Sequence, residues 1–264
     1  MEDTKRYMSK QILIRIALAV VAVVLIGGAI VFTLVARSLP GDALYDLKVR
    51  WLEARQAPSE GDIAGQAHFA LSRMGERLDE LKSLAASGEL TAENVDVATA
   101  QVGDYVNIFV AIVYDEVEHT IPPKDAVMML SDLSVLIRAQ QHVIATNVEN
   151  EEVTSRIENL WREVTGMRLT QIGTYVYEAP AEEVVAFITE QITELSAAVN
   201  DGSLDEAEKS MVNYQLAQAA AALGRGNFAD AIDAVLGAQE VLALNRHIEG
   251  VTTKLIEPEP GQQG

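Results

Sequence analysis

The chain has 264 residues, enough to bury one or two cores, and its 49 % hydrophobic content includes only 5 % aromatics. That mixture, rich in Ala, Leu and Glu, favours packed helices over a β-sandwich. With no cysteine, disulfides and thiolate metal sites are excluded, and a net charge of −19 opposes binding to DNA or RNA phosphates.

The first expected element, residues 12–37, contains the uncharged run Ile16–Ala36, in which Thr33 is the one polar side chain. A helix rising about 1.5 Å per residue over such a run crosses a hydrocarbon core of about 30 Å. It has no polar face to offer water, so its expected partner is the lipid bilayer, with Arg15 snorkelling to the headgroups. Lys5, Arg6, Lys10 and Arg15 precede the run, and Arg37 alone follows it closely. The positive-inside rule then makes 1–11 a cytoplasmic tail of a cell-membrane protein and puts 38–264 outside the cytoplasm. A cleaved signal peptide is the competing reading. Against it, the run is long for a signal core, and in Leu34-Val35-Ala36 the Leu34 side chain is too large for the small residue expected third before a cleavage site.

Charge separates the two sides. Five Lys/Arg against two acids give residues 1–37 a net +3, so the chain's −19 leaves −22 for residues 38–264. A domain of that sign repels anionic headgroups as well as nucleic acid and stays soluble.

Behind the apolar run come Ser38-Leu39-Pro40-Gly41-Asp42-Ala43-Leu44-Tyr45-Asp46-Leu47-Lys48. Pro40-Gly41 forces a turn and Asp42 is placed to cap a following helix, in which Leu44, Leu47 and Trp51 share a face. That face is expected to dock on the helical body. The segment resembles the bacterial family catalogued as domain of unknown function 5667, whose members show an SLPGD-x-LY-x-x-K stretch behind one transmembrane helix. Leu39, Pro40, Gly41, Asp42, Leu44, Tyr45 and Lys48 carry the likeness, and Glu76-Arg77-Leu78 through Gly88-Glu89-Leu90 extend it. It covers roughly residues 38–115, with Asp46 where proline is common and Met74-Gly75 interrupting an Ala/Glu-rich run. Some relatives sit in anti-sigma-type architectures. Residues 1–11 are too short to hold a sigma-binding domain, so the resemblance bears on location more than on activity.

The expected membrane-proximal helical region, 38–122, continues with an apolar stripe of Ile63, Ala67, Leu71, Met74, Leu78, Leu81 and Ala85. Gly88 stops that helix, Thr91 caps the next, and Val95, Ala98, Val102, Tyr105, Phe109 and Ile112 form its partner stripe in an antiparallel hairpin. Distal hairpins are expected over 123–249. Pro122-Pro123 starts a helix with Leu130, Leu133, Ile137, Ile144 and Val148 inward. Glu149-Asn150-Glu151-Glu152 separates it from a helix with Val153, Ile157, Leu160, Val164 and Met167. Tyr175-Val176-Tyr177 is strand-like but isolated, and reads as a buried helix end or a connection. Pro180 opens a helix carrying Val185, Ile188, Ile192, Leu195 and Val199.

Leu81, Gly88, Leu90 and Thr91 are echoed by Leu195, Gly202, Leu204 and Asp205, through duplication or through convergent turn chemistry. Gly226-Asn227-Phe228-Ala229-Asp230-Ala231-Ile232, with Ala238, looks like the second helix of a tetratricopeptide repeat. The preceding helix departs from that pattern at Gln215, Gln218 and Ala222. Residues 250–264, with Pro258, Pro260, Gly261 and Gly264, read as a flexible tail.

No catalytic, cofactor-binding or metal-binding residue is expected, and no enzymatic activity. His68, His119, His142 and His247 stand on separate elements without metal-ligand spacing, and no nucleophile elbow, P-loop or dinucleotide fingerprint occurs. Asn200 through Glu208 imitates half an EF-hand loop, but Ala197 and Val199 fall at its first two ligand positions and cannot coordinate calcium. Glu182-Glu183 and Asp205-Glu206 read as solvated neighbours. The expected whole is an all-α, single-pass membrane protein whose outer hairpins bind another protein, or a second copy, or organise the envelope. The alternatives are a sensor acting through a separate cytoplasmic partner and a hydrolytic enzyme.

Overall fold

The computed structural model describes residues 2–59, 61–113, 121–148, 150–201 and 204–256. Among these residues the secondary structure is all helical, with no strand. The chain divides into two compact units, Met1–Ala57 and Pro58–Gly264.

In the first unit, α1 (Glu2–Arg37) includes Val20–Arg37, a stretch of mean hydropathy 2.4 that is long and apolar enough for a membrane span or a signal sequence. Leu18, Val23, Leu25 and Phe32 all point outward, between 51 and 70 % exposed. Thr33 turns its hydroxyl back to the Ala29 carbonyl at 2.8 Å, so the one polar side chain of the run is satisfied within its own helix. A one-turn helix α2 (Tyr45–Leu47), a π-helical turn Lys48–Glu53 and a 3-10 turn Ala54–Gln56 follow.

Two expectations for this stretch are corrected. Asp42 does not cap forward: its carboxylate accepts from the Leu39 N–H at 2.7 Å, closing the Pro40-Gly41 turn, where Gly41 takes the left-handed φ of 96°. Leu44, Leu47 and Trp51 are not buried anchors but stand 37, 43 and 46 % exposed, while Tyr45 is buried instead. The π-helical turn shifts the inward positions away from ordinary three-four spacing.

The second unit contains α3 (Ile63–Ser87), α4 (Ala92–Val113), α5 (Pro123–Asn147), α6 (Glu151–Glu178), α7 (Ala181–Ala198), α8 (Glu206–Gly224) and α9 (Phe228–Ile256). The helices pack chiefly as α3 with α4, α5 with α6 and α8 with α9, and α5 and α6 also pack on α9. The apolar stripes supply the core: Met74, Leu78 and Leu81 meet Val95, Val102, Phe109, Leu133 and Ile137 in one cluster. Ile172, Phe187, Ile188, Val212, Ile232 and Val235 form a second. Both clusters draw on α5, α6 and α9.

The turns follow from their residues. Gly88 and Gly226, both at φ 73°, end α3 and α8 in Schellman geometry. There Glu89 N–H reaches Leu84 O at 2.9 Å, and Asn227 N–H reaches Ala222 O at 3.0 Å. Thr91 and Asn94 cap α4 reciprocally, and Asp205 with Glu208 forms a capping box on α8. That box is the chemistry of the imitation EF-hand segment. The two echoing turns therefore share their caps, but α7 ends in an added 3-10 turn, Val199–Asp201, which α3 lacks, and Gly202 lies outside the described residues.

Tyr175-Val176-Tyr177 is the last turn of α6, a helix end as one of its two readings had it, with Tyr175 buried and Tyr177 90 % exposed. Two further features differ from the sequence reading. On α7 the inward register is Val184, Phe187 and Ile188, leaving Val185 at the surface. Helix α9 continues past the expected tail start at Gly250 to Ile256. Between α8 and α9 the buried Ala219, Ala222, Ala231 and Ala238 let the backbones approach, and a Cβ on Gly237 would come to 3.4 Å from the Gln215 side chain.

Candidate functional site

The polar chemistry of the second unit is concentrated where its two apolar clusters adjoin. On α6, Arg168 lies one turn from Val164 of one cluster and one turn from Ile172 of the other. On α9, Glu240 stands in the same way between Leu236 and Leu244. Three-four spacing thus turns both charged side chains onto the apolar faces of their helices.

Arg168, with its side chain 6 % exposed, reaches Glu240 at 3.4 Å and Asp233 at 3.1 Å. Glu240 Oε1 also accepts from Trp161 Nε1 and from the Ser134 hydroxyl, each at 3.3 Å. The guanidinium of Arg138 lies over the Trp161 ring, 3.5 Å from its centroid, and pairs with Glu158 at 2.9 Å. A hydrogen bond from Gln141, with Arg138 and Arg162 beside it, holds the Glu158 carboxyl below the usual carboxylate range despite partial desolvation. The seam therefore runs from Glu158 through Arg138, Trp161 and Glu240 to Arg168 and Asp233, tying α5, α6 and α9 together.

Three donors already occupy Glu240, so it is not a poised general base. Ser134 is fully buried, and its hydroxyl is out of reach of a substrate. The buried Ser131 Oγ, Thr165 Oγ1 and Arg168 Nε, one helical turn or less from these contacts along α5 and α6, have no protein partner. This polar seam positions helices.

A second buried charge pair joins Arg77 to Glu80 at 2.9 Å on α3, and Arg77 reaches Gln101 of α4 at 3.1 Å. Sequence reasoning passed over Arg77, Arg168 and Glu240 because charged helical residues are ordinarily solvated. Their phase was the available signal, since each falls at the spacing of the apolar stripe.

The histidines stay apart in sequence: His68 is on α3, His142 on α5 and His247 on α9, and His119 lies outside the described residues. Among the described residues no group of three or more His, Cys, Asp or Glu is arranged to hold a metal ion. Glu182 and Glu183 are exposed, with the Tyr175 hydroxyl 3.5 Å from Glu183, and Glu206 pairs with Lys209 at 2.9 Å. Burial, with Glu183 nearby, pushes the Tyr175 hydroxyl up to about 12.

His247 carries a pH response. Burial, aided by Lys82 and opposed by Asp79, lowers its pKa from the ordinary 6.5. The folded state thus prefers the neutral ring, and the unfolded chain takes up the proton first as pH falls. This contribution leaves stability intact above about pH 6.5 and erodes it as pH falls through the lowered folded value. Thermal unfolding should show wild type losing more melting temperature than His247→Gln between about pH 7.5 and about pH 5.5.

Compared with known proteins, the chain matches no family model, no curated protein and no solved structure.

Proposed function

We propose that the chain is a membrane-anchored, extracytoplasmic helical module that binds a protein partner or a second copy of itself. The observation that carries this reading is the outer surface of α1, where apolar side chains from Leu18 to Leu34 face outward on every side. Water would penalise that surface by roughly 25 cal/mol per Å², and a bilayer removes the penalty. The basic residues before the run support a cytoplasmic N-terminus. The SLPGD-x-LY-x-x-K resemblance supports the same placement.

The interaction role rests on the architecture of the second unit. Its polar seam is closed and its hairpins are rigidly packed, so helix surfaces and the grooves between helices are what it offers a partner. Met211 and Tyr214, 55 and 61 % exposed on one face of α8, are the largest apolar side chains there.

Two fusions at Gly264 test the topology. A reporter active only outside the cytoplasm should work there, and a reporter active only inside should stay dark; the reverse result overturns the orientation. Crosslinking in cells with mass spectrometry should yield one reproducible partner or a crosslinked copy of the chain. A chain recovered only as a monomer, with no partner, would count against the interaction role.

A further inference from the structure

We infer that Leu44, Leu47 and Trp51 form an interfacial collar, seated in the headgroup–acyl boundary of the bilayer that α1 crosses. This rests on the membrane-anchored reading and goes beyond it, because it assigns the segment after the helix to the lipid surface.

The three side chains are spaced three and four residues apart and are 37, 43 and 46 % exposed, although each has apolar surface that water disfavours. The bilayer is the occupant within reach. Helix α1 ends at Arg37 and the patch begins at Leu44, a separation of at most about 25 Å even for a fully extended chain.

The chain here is far from extended. The π-helical turn packs on α1, and Lys48, 9 % exposed, donates from Nζ to the Ser38 carbonyl at 3.2 Å. Ser38 in turn donates its hydroxyl to Val35 O at 2.7 Å, and the Lys48 ammonium lies 5.8 Å from the centre of the buried Tyr45 ring. With the Leu39–Asp42 turn closed as well, the segment folds against the end of α1, and no free stalk separates them.

The chemistry of the patch suits that depth. Trp51 has an apolar ring and a polar N–H, the combination favoured at membrane interfaces, and the Arg55 guanidinium covers its face at 4.7 Å. Arg37 and Arg50 are exposed beside it, where they can meet lipid phosphates. Residues 38–57 hold three basic and three acidic side chains, so the −22 outside the membrane falls entirely on residues 58–264. The collar segment, with no net charge of its own, thus approaches an anionic surface without net repulsion.

Depth-dependent quenching tests this on the full chain, reconstituted in phosphatidylcholine vesicles whose acyl chains are brominated near the headgroup or near the bilayer centre. The chain has two tryptophans, so the fluorescence of Trp51 is the difference between wild type and Trp51→Phe. That difference should be blue-shifted, and quenched by about half by shallow bromines and less by deep ones. A Trp51 signal quenched by aqueous acrylamide and not by bromolipid overturns the collar. Shielding from both also overturns it, since protein, such as a second copy, would then cover the patch. A chain that fails to float with vesicles after an alkaline wash overturns the anchor itself, which separates that failure from failure of the collar.

Discussion

Replacing Glu240 by alanine should lower the unfolding free energy by about 3 kcal/mol, the cost of breaking a buried charge pair by removing one partner. The residual Arg168 would keep Asp233 at 3.1 Å, but Asp233 is 43 % exposed and compensates only in part, which sets the loss at the lower end of the range. Trp161 Nε1 and the Ser134 hydroxyl would lose their acceptor in the same step. Glu240→Gln keeps an acceptor without the charge and should cost less, about 1–2 kcal/mol. The double variant Arg168→Met with Glu240→Leu removes both charges and restores apolar volume, so it should recover most of the loss. Urea unfolding of the full chain in micelles reads all three as midpoints at unchanged slope. A loss below about 1 kcal/mol for Glu240→Ala would mean that the seam is solvated and contributes as a surface pair does.

The fold was legible in the sequence wherever a stripe and a stop signal agreed. Gly88 followed by Thr91, Pro122-Pro123 and Pro180 fixed helix boundaries because each removes or redirects backbone hydrogen bonds in a way that packing does not override. Legibility failed where spacing alone carried the inference. Leu44, Leu47 and Trp51 have helical spacing, but the neighbouring Tyr45 and Lys48 are buried in their place, followed by Glu53 after the five-residue step of the π-helical turn at Lys48–Glu53. Val184-Val185 offered two adjacent apolar residues, and spacing could not choose between neighbours; packing put Val184 inside. Composition points to a tail starting at Gly250, yet one glycine costs a helix only about 1 kcal/mol, and α9 passes through it to Ile256. The polar seam was the least legible feature. Whether Arg168 and Glu240 are buried depends on two helices remote in sequence bringing opposite charges to one place, and no local pattern records that meeting.

Truncating Phe109 to alanine should cost about 3–5 kcal/mol, whereas the same change at Phe32 should leave stability within about 0.5 kcal/mol. Both phenylalanines sit on helices that are long and apolar enough to cross a membrane: Val20–Arg37 at mean hydropathy 2.4 and Ala92–Val113 at 1.2. Their surroundings separate them. Phe32 is 51 % exposed on α1, while Phe109 is 0 % exposed on α4, in one cluster with Leu78, Leu81, Leu133 and Ile137. Helix α4 also buries Asn94 and Thr99, and its Asp96 lies 3.8 Å from Arg156 of α6. Lipid would leave that carboxylate without water, whereas at the surface of a helical bundle it costs little. The stripe Val95, Val102, Phe109 therefore belongs to a core in water, and removing the Phe109 ring opens a cavity among fixed neighbours. In the proposed membrane-anchored state the ring of Phe32 would meet lipid on one side, and acyl chains would refill the space. Guanidinium unfolding of the two variants, full-length in micelles, measures the difference. Equal, small losses at both positions would show that Phe109 is not packed in the core.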